Sequence, residues 1–217
     1  MKKKLILFDW GNIVDSHTTG YTCYDAYNDL FYECGYKGEE TIFNVLGKYK
    51  LSCIKTNEEF SKTYKLMAKE FKLNKTYDEI VKIYKRVFSK IDYYKEVADY
   101  EISLKDKCYI GILSNLNIFD KERLDKQVNL PLYDYVFLSY EMGLKKPGIE
   151  IFNAVQKQLP FTPNNILFID DRKDNIETAK KIGWNTCQAT GLELDKIKSS
   201  VDKFLSIEIE KNNKKRL

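Results

Sequence analysis

Residues 5–16 read LILFDWGNIVDS. Leu5 to Phe8 form an apolar run of strand length with no polar face, the pattern of a strand buried on both sides, and the run ends on Asp9. A carboxylate in that position needs partners, and the ends of other apolar runs supply them.

Four further runs have the same character: Tyr109–Leu113, Tyr135–Leu138, Ile166–Ile169 and, more weakly, Thr186–Ala189. Helical spacings separate them. Ile151, Phe152, Val155 and Leu159 mark one helix, Ile176, Ala179 and Ile182, closed by Gly183, another, and Leu194 to Leu205 a terminal one. Buried strands alternating with helices predict an α/β fold, a Rossmann-like parallel sheet flanked by helices.

From Ser16 to about Asp99 the pattern is helical throughout. Tyr21, Tyr24, Tyr27, Leu30 and Phe31 recur at spacings of three and four before a stop at Cys34-Gly35, and three more apolar stripes follow. Two of those open on Thr-x-x-Glu, at Thr56/Glu59 and Thr76/Glu79, where threonine and glutamate satisfy amides that a first helical turn leaves unpaired. The expected organisation is an α/β core of residues 1–15 and 100–217, with an all-helical domain of residues 16–99 inserted after the first strand.

In an open parallel sheet, functional groups collect beyond the carboxyl ends of the strands. There the sequence places Asp9, Ser114-Asn115 and Asp170-Asp171, and the loop GLKKPG adds Lys145 and Lys146. One aspartate at a strand end is more often a cap than a catalyst. Three carboxylates in one site repel each other and raise their own pKa values unless a cation compensates. Mg is the natural candidate, because a few oxygen ligands completed by water and phosphate suit that ion.

These motifs resemble the haloacid dehalogenase (HAD) superfamily over nearly the whole chain. FDWGN at 8–12 is similar to its first motif, of the DxGN type, GILSN at 111–115 to its second, GLKKPGIEIF at 143–152 to its third and ILFIDDRKDNI at 166–176 to its fourth. The helical insertion is similar to the family's helical cap. The resemblance implies a Mg-dependent phosphatase acting on a small phosphorylated metabolite, a sugar phosphate among the choices. Asp9 would be the nucleophile, Ser114 a phosphoryl ligand and Lys146, directly before Pro147, the compensating charge. Asp9, the Gly11 carbonyl, Asp170 and Asp171 would hold the metal, and Trp10, Gly11, Asn12 and Asn115 would contact substrate. Asn175 would support the fourth loop.

The departure is Gly11, where the family's commonest pattern has a second aspartate that protonates the leaving oxygen. Asp15 and His17 are the nearest groups that could replace it, and the tyrosines at 21, 24, 27, 32 and 36 either pack or line a pocket. Three other readings stay open: a binding or regulatory protein of this fold with weak or absent catalysis, a haloacid dehalogenase, and a phosphotransferase to a second sugar.

Composition narrows the class. The chain has 217 residues, 43% hydrophobic, with a net charge of +4 that comes largely from its lysine-rich ends. No basic stripe with interleaved aromatics suggests nucleic acid binding, and no run approaches a membrane span or signal peptide. Five cysteines without a CxxC pair fit reduced thiols. A cytoplasmic monomer or homodimer is expected.

Overall fold

The structure is a computed structural model that describes residues 3–16, 20–38 and 41–214. His17 lies outside the described residues.

In chain order, β1 (Leu5–Phe8) leads through a tight loop to β2 (Asp15–Ser16). Helices α1 (Cys23–Glu33), α2 (Ile42–Tyr49), α3 (Asn57–Phe71) and α4 (Tyr77–Phe88) follow, then β3 (Asp92–Tyr93), antiparallel to β2. The chain then alternates: α5 (Lys95–Ser103), β4 (Tyr109–Ser114), α6 (Lys121–Gln127), β5 (Tyr135–Leu138), α7 (Ser139–Met142) and α8 (Ile149–Gln158). It closes with β6 (Ile166–Asp170), α9 (Lys173–Lys181), β7 (Asn185–Gln188) and α10 (Leu194–Lys214). Among the described residues no helix is long and apolar enough to cross a membrane.

The five longer strands form one parallel sheet in the order β5-β4-β1-β6-β7, so β1 is central. Its alternation divides the core. Leu5 and Leu7 pack with Phe137, Phe152, Phe168 and Trp184 on one face, and Ile6 and Phe8 with Ile110, Ile112, Ile169 and Val201 on the other. Both faces being covered explains why the run contains no polar residue, since each fully buried side chain of this kind contributes about 1.5–3 kcal/mol.

The inserted helices have an apolar core of their own, built on Phe31, Val45, Met67, Tyr84 and Val87. Thr56 and Thr76 cap their helices as the spacing predicts, and Thr22 does the same with Asp25 in place of glutamate. The β2–β3 ribbon brings the two ends of the insertion together. Tyr94, Val97 and Ala98 of the following segment pack on the sheet as part of its core cluster. From the other side, Phe119 in the loop after β4 enters the helices, its ring 4.8 Å from Phe60 and 5.5 Å from Tyr84.

Candidate active site

The register of the sheet assembles the site. Phe8 pairs with Ile112 on one side and Ile169 on the other, so the next residue of β1, Asp9, comes level with Asp170 at the end of β6. The Asp9 N–H donates to the Ile169 carbonyl at 2.8 Å, continuing that ladder by one step. Ser114, the last residue of β4, is buried beside the Asp9 carboxyl, whose charged form its hydroxyl favours.

Asp9, Asp170 and Asp171 each present a carboxylate oxygen within 4.8 Å of the others. Lys146 lies between two of them, its Nζ 3.0 Å from Asp9 Oδ2 and 2.6 Å from Asp170 Oδ2. The other oxygen of Asp9 accepts from the Trp10 N–H at 2.7 Å. Asp170 also accepts from the Arg172 N–H at 2.8 Å and, on both oxygens, from Asn175 Nδ2 at 2.9 Å. Asn175 therefore supports the fourth motif directly.

Burial pushes the Asp9 carboxyl up to about 7, with Asp170 and Asp171 adding to the shift while Lys146 and Ser114 oppose it. Burial likewise raises Asp171, against a hydrogen bond from Asn12. Burial works against the charged form of Lys146, yet Asp170 and Asp9 hold its ammonium above the ordinary lysine range. One buried ammonium serving three carboxylates leaves negative charge in excess, and a compact set of hard oxygen donors fits Mg.

The loop after Asp9 differs from expectation in its side chains. Trp10, expected at the substrate, is 2% exposed and belongs to the core under the sheet, where the Arg123 guanidinium stacks 4.3 Å from its ring centroid. Asn12 adopts a left-handed φ of 59°, which asparagine tolerates better than most residues, and donates to Asp171 Oδ2 at 2.8 Å. Its amide thus orients an acid. Gly11 forms a parallel bridge with Asp15 that uses the Trp10 carbonyl and the Asn12 N–H, hence neither main-chain group of Gly11 itself.

Asn115, expected at the substrate, instead turns its amide to the main chain of Lys146. Asp15 is fully buried, paired with Arg123 and bonded by Gln127 Nε2 at 3.0 Å and the Cys23 thiol at 3.2 Å, which removes it as a replacement acid. The tyrosines of α1 and the turn after it divide: Tyr27 packs edge-on against Phe88 at 4.8 Å, Tyr36 against Phe71 at 5.5 Å, and Tyr32 is 81% exposed.

Sequence reading missed the polar joint behind the site. Arg123 binds Asp15 and Asp120, while Asn117 Nδ2 donates to the hydroxyls of Tyr27 at 3.1 Å and Tyr84 at 2.9 Å. None of these residues stands in a motif, and the only available signal was Asn117 and Asp120 so soon after a strand end.

Residues 6–189 match the family described as haloacid dehalogenase-like hydrolase. The chain is 29% identical over 203 residues to the D-ribitol-5-phosphate phosphatase of Bacteroides thetaiotaomicron, which covers 85% of this chain and 91% of that protein. Its fold is similar to that of a HAD family enzyme from the same bacterium, crystallised with magnesium and inorganic phosphate, at a TM-score of 0.68 and 22% identity, covering 87% of this chain and 95% of that one. A Porphyromonas gingivalis structure assigned to the HAD-like hydrolases aligns at a TM-score of 0.65 and 22% identity, covering 88% of this chain and 93% of that one.

Proposed function

The chain belongs to the haloacid dehalogenase-like hydrolase family, and from that premise we propose that it is a Mg-dependent phosphatase of a small phosphorylated metabolite, a sugar or polyol phosphate, with Asp9 as nucleophile. The observation that carries the reading is the convergence of Asp9, Asp170 and Asp171 within 4.8 Å, with the buried Lys146 ammonium between Asp9 and Asp170.

Asp9, Asp170, Asp171 and the Gly11 carbonyl would hold the metal. When bound, Mg supplies charge compensation to the carboxylates and to phosphoryl oxygens. The Trp10 N–H fixes one Asp9 oxygen and leaves Oδ2, the atom facing Lys146, to attack phosphorus. The new bond joins Asp9 oxygen to phosphorus as the bond to the leaving oxygen breaks; water then attacks the aspartyl-phosphate and releases phosphate. Ser114 donates to a phosphoryl oxygen and Lys146 offsets the charge, the electrostatic support this transfer mainly needs.

Gly11 gives no proton to the leaving oxygen, and Asp15 is committed to Arg123. General acid–base help typically contributes about 10²- to 10⁴-fold, so good leaving groups turn over best. Residues 16–93 form the cap in this reading, and its movement over the site excludes bulk water. Similarity to the D-ribitol-5-phosphate phosphatase supports a phosphorylated polyol or sugar as the substrate class.

The test is phosphate release from aryl, acyl, sugar and polyol phosphates, with Mg and with a chelator, by the unsubstituted protein and Asp9→Asn. Release that needs both Mg and Asp9 supports the reading. Release unaffected by Asp9→Asn would end it.

A further inference from the structure

Lys146 has an exacting position to keep. Its four-carbon side chain is 1% exposed and must hold a charged head between Asp9 and Asp170. A flexible stem can do that only if its main chain is anchored, and the next residue, Pro147, has no N–H to donate. Lys146 also lies in the loop between α7 and α8, outside every strand ladder.

The anchor is a side chain. Asn115 Oδ1 accepts from the Lys146 N–H at 2.9 Å, and Asn115 Nδ2 donates to the Lys146 carbonyl at 2.8 Å. This closed two-bond pairing imitates the exchange between strands, with an amide side chain in place of a second backbone. Asn115 is itself held on both sides: Ser114 ends β4, and the Leu116 N–H donates to the buried Ser139 hydroxyl at 2.9 Å. Ser139 in turn donates to the Ser52 carbonyl of the helical insertion.

Resting on the phosphatase reading above, we propose that Asn115 is a positioning residue that sets the Lys146 ammonium against the nucleophile and phosphoryl group by clamping the lysine main chain, and that it does not contact the substrate. Since the lysine addresses Asp9, Asp170 and the phosphoryl group and not the leaving oxygen, the contribution of Asn115 is independent of the leaving group. Misplacing a reacting group by about 1 Å costs about 10²-fold, and Asn115→Ala lowers kcat/KM on that order.

The probe is beryllium fluoride with Mg, which binds a carboxylate nucleophile as a phosphoryl mimic and reports the donor at each fluorine by its 19F resonance. Compared with the unsubstituted protein, Lys146→Met identifies the resonance that senses the ammonium and Ser114→Ala the one that senses the hydroxyl. Asn115→Ala is expected to shift the Lys146 resonance alone, and to lower kcat/KM by one common factor for aryl, acyl and sugar phosphates. Asn115→Asp, which keeps the bond to the Lys146 N–H, is read in the same way if the alanine variant does not fold. A shift of a different resonance, no shift, or a loss that varies with the leaving group overturns the clamp while leaving the phosphatase intact. No fluoride complex in the unsubstituted protein overturns the phosphoryl site and the clamp together.

Discussion

The Lys146 ammonium stands 2.6 Å from Asp170 Oδ2, closer than the 3.0 Å that separates it from Asp9 Oδ2. The lysine therefore braces the carboxylate at the end of β6 as well as the one that follows β1, and both acids are buried.

Removing that charge leaves the carboxylates without a partner. Lys146→Met, similar in volume, is expected to destabilise the Mg-free protein by about 3–5 kcal/mol at neutral pH, the usual cost of breaking a buried pair. Mg is expected to raise the midpoint of thermal unfolding more in the variant than in the parent, because it restores the missing compensation. Equal Mg-induced shifts in a melting experiment would argue against the acidic cluster as the metal site.

Gly11 is a chemical choice more than a steric one. A Cβ built there meets nothing within 4 Å, and the residue does not occupy the left-handed region. Gly11→Asp is expected to fold normally and to raise kcat for alkyl phosphates about 10- to 10²-fold, part of what general acid catalysis typically contributes. Aryl phosphates, which leave without a proton, are expected to gain little. Steady-state rates for the two substrate types check this.

Glu101 offers a pH test away from the site. It is 0% exposed on α5; Tyr133 donates to one oxygen at 2.6 Å and the other has no hydrogen-bond partner among the described residues. Burial pushes its carboxyl up to about 8 from an ordinary 4.5, with the tyrosine opposing. The unfolded chain releases this proton first, so this group disfavours the folded state increasingly as pH rises from about 4.5 to about 8. Each pH unit in that window costs about 1.4 kcal/mol. Denaturant titrations are expected to show that Glu101→Gln removes this slope and is more stable than the parent at pH about 8.

Arg123 joins the insertion to the core. It pairs with Asp15 and Asp120, and Tyr84 of α4 donates to Asp120 as well. Arg123→Met strands two buried acids and is expected to cost about 3–5 kcal/mol. The double variant Arg123→Met, Asp15→Asn is expected to recover part of that loss. Strictly additive losses in urea melts would show that the two residues do not interact.

The three motif strand ends were legible in the sequence, since strands buried on both faces must be apolar and each polar residue that stops them stands out. Leu5–Phe8 and Tyr135–Leu138 match their strands residue for residue. Period and capping spacing likewise exposed the helices α3 and α4. The boundary of the insertion was not legible, because Val97 and Ala98 have helical spacing whether they pack on the sheet or on the inserted helices.

The sequence by itself determined which chemical groups stand at the strand ends, because backbone pairing and apolar burial place them there whatever surrounds them. Only the tertiary structure decided what each group touches. Trp10 beside Asp9 turns into the core, Asp15 is taken by Arg123, and Asn115 finds Lys146 across 31 positions. Those choices depend on side-chain directions and long-range contacts, which local spacing does not encode.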